Sequence, residues 1–220
     1  MPKRPMAGLT EQTAQWSAAF GRSYTERNDL GLDSLDQRYQ TQFGIDRSAL
    51  NALFLESLPR DLSILEVGCN VGNQLSLLAG MGFTRLSGVD VQEYALVRAR
   101  ERLPGIPLVQ GSALALPFPD HSFDLVFTSG VLIHIHPDHL PTALAEIYRV
   151  TQHWIWGLEY FAATHSEIPY HGQTSMLWKA PFAELYQQQF PTLTLIREKR
   201  LSYRDNPGNI DCMYLLHKPS

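Results

Sequence analysis

One nine-residue stretch, Ile64-Leu65-Glu66-Val67-Gly68-Cys69-Asn70-Val71-Gly72, constrains this chain more than any other. Ile64, Leu65 and Val67 form the short apolar run of a strand covered on both faces. Gly68 and Gly72 lack a Cβ, so backbone and ligand can approach closely there. Leu75, Leu78 and Ala79 then share one helical face before Gly80 and Gly82 end the helix. The next apolar run closes on Asp90, where a carboxylate can accept hydrogen bonds from both hydroxyls of a ribose. Each such charge-assisted bond is worth roughly 1.5–3 kcal/mol. Strand, turn, helix N-terminus and acid together make a cradle for a nucleotide cofactor.

The same alternation continues along the chain. It predicts strands at 63–67, 84–90, 106–110, 123–127 and 153–161, with helices at 72–81, 92–103 and 138–150. That order implies an α/β fold: a doubly wound, Rossmann-like, mostly parallel sheet with helices on both faces. Two closing strands, 193–196 and 213–216, flank the turn-rich Asp205-Asn206-Pro207-Gly208, so an antiparallel C-terminal hairpin completes seven strands. Helical patterns at 11–20 and 48–58, the second with Ser48 as N-cap and Pro59 as stop, precede the first strand. The expected division is an N-terminal helical extension over 1–60 that covers the cofactor, followed by the main domain over 61–220.

With 44% hydrophobic and 18% charged residues, the 220-residue chain has the apolar material for one domain's core. A net charge of −4 gives no general attraction to nucleic-acid phosphates, and no Lys/Arg stripe interleaves with aromatics, so nucleic acid is not expected as a partner. Cys69 and Cys212 are far apart, which indicates neither a disulfide framework nor a zinc site. No apolar run is long enough to span a membrane and no signal-peptide pattern follows Met1, so a cytoplasmic location is expected.

A dinucleotide enzyme calls for Gly-x-Gly-x-x-Gly, but the middle position here is Asn70. The stretch instead resembles motif I of class I S-adenosylmethionine-dependent methyltransferases, with the same departure at Asn70. Residues 111–124, Gly-Ser-Ala-Leu-Ala-Leu-Pro-Phe-Pro-Asp-His-Ser-Phe-Asp, resemble a later stretch of that family. The resemblance makes S-adenosylmethionine the expected cofactor. It implies binding by Glu66, Gly68, Cys69, Asn70 and Gly72, by Asp90 with Val91, and by Ser129 with Gly130. Ser112 stands where the family commonly has an adenine-contacting Asp, which passes that contact to the Ala113 backbone.

Three further pieces narrow the resemblance: residues 20–28, residues 130–138, and Glu159-Tyr160 followed by residues 167–172. Together they look like the pseudaminic acid biosynthesis-associated methylases, over about residues 16–217. This implies a small polar acceptor of the sugar or nucleotide-sugar class, with Tyr24 and Arg27 over the cofactor's methionine carboxylate. Another natural-product hydroxyl, amine or carboxyl stays open as acceptor, as does a cofactor-binding module without turnover.

Methyl transfer by in-line displacement needs positioning above all, and a hydroxyl acceptor must also lose its proton. His134, four residues past Gly130 in the loop toward the next helix, is the candidate base. Glu159, Tyr170 and His171 are the candidate acceptor contacts. The polar, proline-punctuated 162–180 segment suits a substrate lid as well as a surface loop. His134, His136 and His139 have no carboxylate at a convincing ligand spacing, and no metal is expected.

Overall fold

The computed structural model of the protein describes residues 10–29, 32–170 and 174–219. Strands β1 (Ser63–Val67), β2 (Arg85–Asp90), β3 (Leu108–Gln110), β4 (Phe123–Ser129) and β5 (Thr151–Tyr160) run parallel. A ladder of two-residue strands, β6 (Ser166–Glu167) and β7 (Trp178–Lys179), stands apart from them. Strands β8 (Thr194–Ser202) and β9 (Ile210–His217) close the chain as an antiparallel pair, with β9 beside β5. The seven-stranded order is β3-β2-β1-β4-β5-β9-β8. Chain order reverses between β1 and β4, and open α/β sheets bind ligands at the carboxyl ends of strands beside such a reversal.

The central strands are apolar on both faces because both are covered. Ile64, Leu65, Leu125, Val126 and Phe127 have no exposure at all. One face packs on α4 (Arg47–Leu55), α5 (Asn73–Gly80) and α6 (Glu93–Arg102), through Leu50, Phe54, Leu75, Leu78 and Leu96. The other packs on α7 (Leu140–Val150) and α8 (Phe182–Gln189), through Leu144, Ile147, Phe182 and Tyr186. Helices α1 (Glu11–Ser17), α2 (Ala19–Asn28) and α3 (Leu32–Phe43) precede α4.

The N-terminal region departs most from the sequence expectation. The helix expected over 11–20 breaks at Ala18, whose extended backbone ends α1 and opens α2. Ser48 is not the cap of α4, since that helix starts at Arg47 behind Asp46. The Asp36 carboxylate, brought over by α3, instead accepts from the Ser48 N–H at 2.8 Å and its hydroxyl at 2.6 Å. The closing hairpin is longer than its apolar runs suggest, because β8 is an edge strand carrying the charges of Arg197, Lys199 and Arg200.

Candidate cofactor and acceptor site

The carboxyl ends of β1, β2 and β4 meet beneath α1 and α2 in a pocket of about 140 Å³. Val67, Val89, Val91, Leu114 and Ile135 give it apolar walls, and Asp90, Asn70, Gln92 and Ser112 give it polar groups. Ligand pockets commonly measure roughly 300–1,000 Å³, and the α1–α2 cover narrows this one. Gln92 holds the α1–α2 junction in place, its Nε2 donating to the carbonyls of Trp16 at 3.0 Å and Ala18 at 3.1 Å.

The turn after β1 owes its shape to left-handed backbone. Gly68 has φ +73°, and a Cβ there would lie 2.5 Å from Val131. At Gly72, φ +78°, a Cβ would meet Leu103 at 2.4 Å. Each glycine therefore makes room for neighbouring protein, and Gly68 also lines the pocket. Asn70 takes the middle place with φ +47°, a region Asn tolerates better than most residues. Its N–H donates to Asp90 Oδ2 at 2.8 Å, and its side-chain oxygen accepts from the Thr25 hydroxyl at 2.9 Å. Motif turn, strand-end acid and cover helix are thus joined by two hydrogen bonds.

Asp90 Oδ1 also accepts from the Gln92 N–H at 2.7 Å. Burial raises the pKa of Asp90, and the backbone N–H groups of Gln92, Asn70 and Val91 oppose that rise. An ionised carboxylate offers about four acceptor positions. With one bond at each oxygen, Asp90 retains capacity for two ribose hydroxyls, and the adjoining valines suit an apolar base. The residues present fit a nucleoside cofactor.

Of the residues picked from sequence, Tyr24, Gly68, Asn70, Asp90, Val91, Ser112, Ala113, Gly130 and His134 line this pocket. The others have different surroundings. Glu66, 3% exposed, faces the α4 side, where burial raises its pKa strongly against the charge of Arg47, and its Oε2 has no partner. Cys69 is buried, and its sulfur packs against β2 at Gly88. Ser129 Oγ accepts from Arg47 Nη2 at 3.3 Å. Arg27 is exposed and engages the Tyr170 hydroxyl. His171 lies outside the described residues.

Glu159 differs most from its sequence reading as an acceptor contact. It is 2% exposed, and its carboxylate accepts from the N–H groups of Val131, at 3.0 Å, and Ile133, at 3.4 Å. It therefore fixes the Gly130–Ile133 loop from below. Burial pushes its pKa up to about 7, against the Thr128 hydroxyl and the loop N–H groups.

His134 closes the pocket's far side among rings: Trp16 at 4.6 Å, Tyr170 at 5.2 Å and Tyr24 at 6.1 Å between centroids. Its Nδ1 lies 2.8 Å from the Met176 carbonyl, an acceptor, so the proton of the neutral ring sits on Nδ1 and Nε2 keeps its lone pair. Burial lowers its pKa to about 4. Trp16 is not among the residues singled out from the sequence, although Trp16, Phe20 and Tyr24 recur every four residues; its ring meets those of Phe20 and Tyr24 edge-on across the break at Ala18.

Comparison with known proteins bears on the same region. A family model described as a methyltransferase domain matches residues 64–153. The chain is 38% identical over 128 residues to a phthiotriol/phenolphthiotriol dimycocerosates methyltransferase of Mycobacterium tuberculosis, covering 56% of this chain and 44% of that one. It is 31% identical over 99 residues to sterol 24-C-methyltransferase erg-4 of Neurospora crassa, covering 42% and 26%. The chain spans less than half the length of the curated relatives it matches. Among solved structures, it resembles a Burkholderia thailandensis 1,6-didemethyltoxoflavin-N1-methyltransferase that holds 1,6-didemethyltoxoflavin and S-adenosylhomocysteine. That likeness has a TM-score of 0.69 at 20% identity, over 99% of this chain and 93% of the other. The [4+2]-cyclase SpnF is similar too, with a TM-score of 0.63 at 17% identity over 78% and 79%. The fold is that of the S-adenosylmethionine-dependent methyltransferases, and the cyclase illustrates that fold alone does not fix the reaction. Among the described residues there is no group of three or more His, Cys, Asp or Glu placed to hold a metal. Nor is any described helix long and apolar enough to cross a membrane.

Proposed function

We propose that this chain is an S-adenosylmethionine-dependent methyltransferase that acts on a small molecule. The observation that carries the reading is Asp90, a strand-end carboxylate held by the motif turn's own N–H and facing the pocket. The methyltransferase-domain match over the same residues supports it. S-adenosylmethionine, when bound, supplies an electrophilic methyl on a sulfonium sulfur. Asp90 holds the ribose, Gly68 and Asn70 present backbone to the cofactor, and Val89, Val91 and Leu114 flank the adenine. Trp16, Tyr24 and His134 exclude water from the reacting end. His134 Nε2 orients the acceptor as a hydrogen-bond acceptor, because a ring with a pKa of about 4 stays neutral at physiological pH.

For the acceptor we infer a polar molecule of the sugar or nucleotide-sugar class. The support is the sequence resemblance of residues 20–28 and 130–138, together with the polar groups of Tyr24 and His134 in the pocket wall and of Tyr170 beside His134. The relatives named above act, by their names, on sterols and dimycocerosates, so both classes belong in the test. The full chain is incubated with S-adenosylmethionine and a panel of free sugars, nucleotide-activated sugars, sterols and phthiotriol dimycocerosates, and methyl addition is read by mass spectrometry. A methylated sugar supports the whole reading. A methylated sterol or dimycocerosate overturns the acceptor class, and a chain that does not bind S-adenosylmethionine overturns the enzyme class.

A further inference from the structure

A second cluster of ionisable groups lies where the sheet turns antiparallel. Ser129, the last residue of β4, pairs with Leu158, and the Gly130 N–H donates to the Leu158 carbonyl at 2.9 Å. Strand β5 continues two residues further, to Tyr160, which pairs with Asp211 of β9. At about 3.3 Å per residue these two stand roughly 6–7 Å along the sheet beyond the Ser129–Leu158 pair. Asp211 is 5% exposed, and its Oδ1 has no hydrogen-bond partner.

Groups from every adjoining element face this carboxylate. Tyr203, just past β8, is held by its N–H bond to the Asn209 carbonyl at 3.1 Å, and its hydroxyl interacts with both Asp211 and Tyr160. Helix α3 brings Arg38 and Tyr39, α4 brings Arg47, and β7 brings Lys179, while Cys212 is the next residue along β9. Arg47 is already committed, through Nε to Asn51 at 2.9 Å, Nη1 to the Tyr39 hydroxyl at 2.7 Å and Nη2 to Ser129 at 3.3 Å. Lys179 Nζ is bonded to Asn209 Oδ1 at 2.6 Å. Neither pairs with Asp211. Burial pushes the Asp211 carboxyl up to about 7, against Tyr203 and the three cations. Tyr170 joins this cluster to the pocket, since it acts electrostatically on both Tyr24 and Tyr160 and its ring lies 5.2 Å from His134.

Asp211 Oδ1 is a buried acceptor without a partner at the carboxyl edge of the sheet, beside groups from α3, α4 and β7 that act on it. We propose that Asp211 is the proton acceptor of the transfer, with Tyr160 and Tyr203 framing the acceptor's reacting group, an inference that rests on the methyltransferase reading above. The proton of an acceptor hydroxyl passes to Asp211 Oδ1 as the oxygen–methyl bond forms and the carbon–sulfur bond breaks. The sulfonium charge ends as a neutral thioether, and the carboxylate ends as a neutral acid. His134 is a poor recipient for that proton, since burial opposes its charged form.

The test compares two probes that differ by one charge, S-adenosylmethionine and S-adenosylhomocysteine. Asp211 is titrated by NMR in the full chain labelled with ¹³C at aspartate, with each probe bound, and Asp211→Asn identifies the resonance. A sulfonium within about 10 Å lowers the pKa of Asp211 by about one pH unit relative to the thioether complex. Equal values in the two complexes overturn the proposal and leave the methyltransferase reading intact. Calorimetry run alongside separates the two, because failure of both probes to bind overturns that reading and this one with it. If Asp211→Asn does not fold, Tyr203→Phe identifies the resonance instead, by raising its pKa in both complexes.

Discussion

On the β1–β2 side of the sheet's carboxyl edge, each oxygen of Asp90 accepts a backbone N–H. On the β5–β9 side, Asp211 keeps one oxygen without a partner, and between the two Glu159 turns its carboxylate under a loop. Asp90 ends β2, Glu159 is next to last in β5 and Asp211 is second in the antiparallel β9, yet Glu159 braces the backbone, while the roles proposed for the other two are to hold a ribose and to take a proton. Position along a strand thus places a carboxylate at the edge. Which face it occupies, and which N–H groups reach it, decides what it does.

The largest effect expected from this contrast concerns Glu159. Its pKa of about 7 in the folded chain lies above the ordinary 4.5. Below pH 4.5 both states are protonated, and between 4.5 and 7 only the unfolded chain gives up the proton. Stability therefore falls as pH rises through that window, by ~3 kcal/mol, and levels off above it. Denaturant unfolding between pH 4.5 and 8 should show this slope, and Glu159→Gln should remove its share while Asp211 retains a similar one. An unchanged slope in the variant would mean that the loop does not depend on Glu159.

Asp90→Ala comes next. It strips two backbone N–H groups of their acceptor as well as the ribose contacts, so affinity for S-adenosylhomocysteine should fall by about a hundredfold. Calorimetry reads this directly, and an affinity within twofold of the parent would separate Asp90 from the cofactor. His134→Ala should lower turnover by about tenfold with cofactor affinity unchanged, because it orients rather than accepts the proton. A loss of several powers of ten would return the base role to His134. Thr25→Val removes the hydroxyl that ties α2 to Asn70, and cofactor affinity should weaken by roughly fivefold, as one neutral hydrogen bond allows.

The same contrast explains what the sequence made legible. Strand β1, its turn and Asp90 are contiguous or nearly so, and apolar runs bounded by glycine describe them well, down to β1 at Ser63–Val67. The other side depends on relations the linear pattern does not carry. β5 and β4 shift register between Phe123 and Leu125, so the face that Glu159 occupies is not readable by counting. Asp211 meets Tyr160 only through an antiparallel pairing across the late hairpin. An N-terminal helical cover is expected from the sequence, but the place of α2 over the pocket, through Gly21, Tyr24 and Thr25, follows from packing that only the fold supplies.

The most direct test of the central claim is a calorimetric titration of the full chain with S-adenosylmethionine and S-adenosylhomocysteine, with a nicotinamide dinucleotide as the competing nucleotide. Binding of both sulfur ligands at micromolar Kd or tighter, without binding of the dinucleotide, is the predicted result. Binding of the dinucleotide alone, or of none of the three, would contradict it.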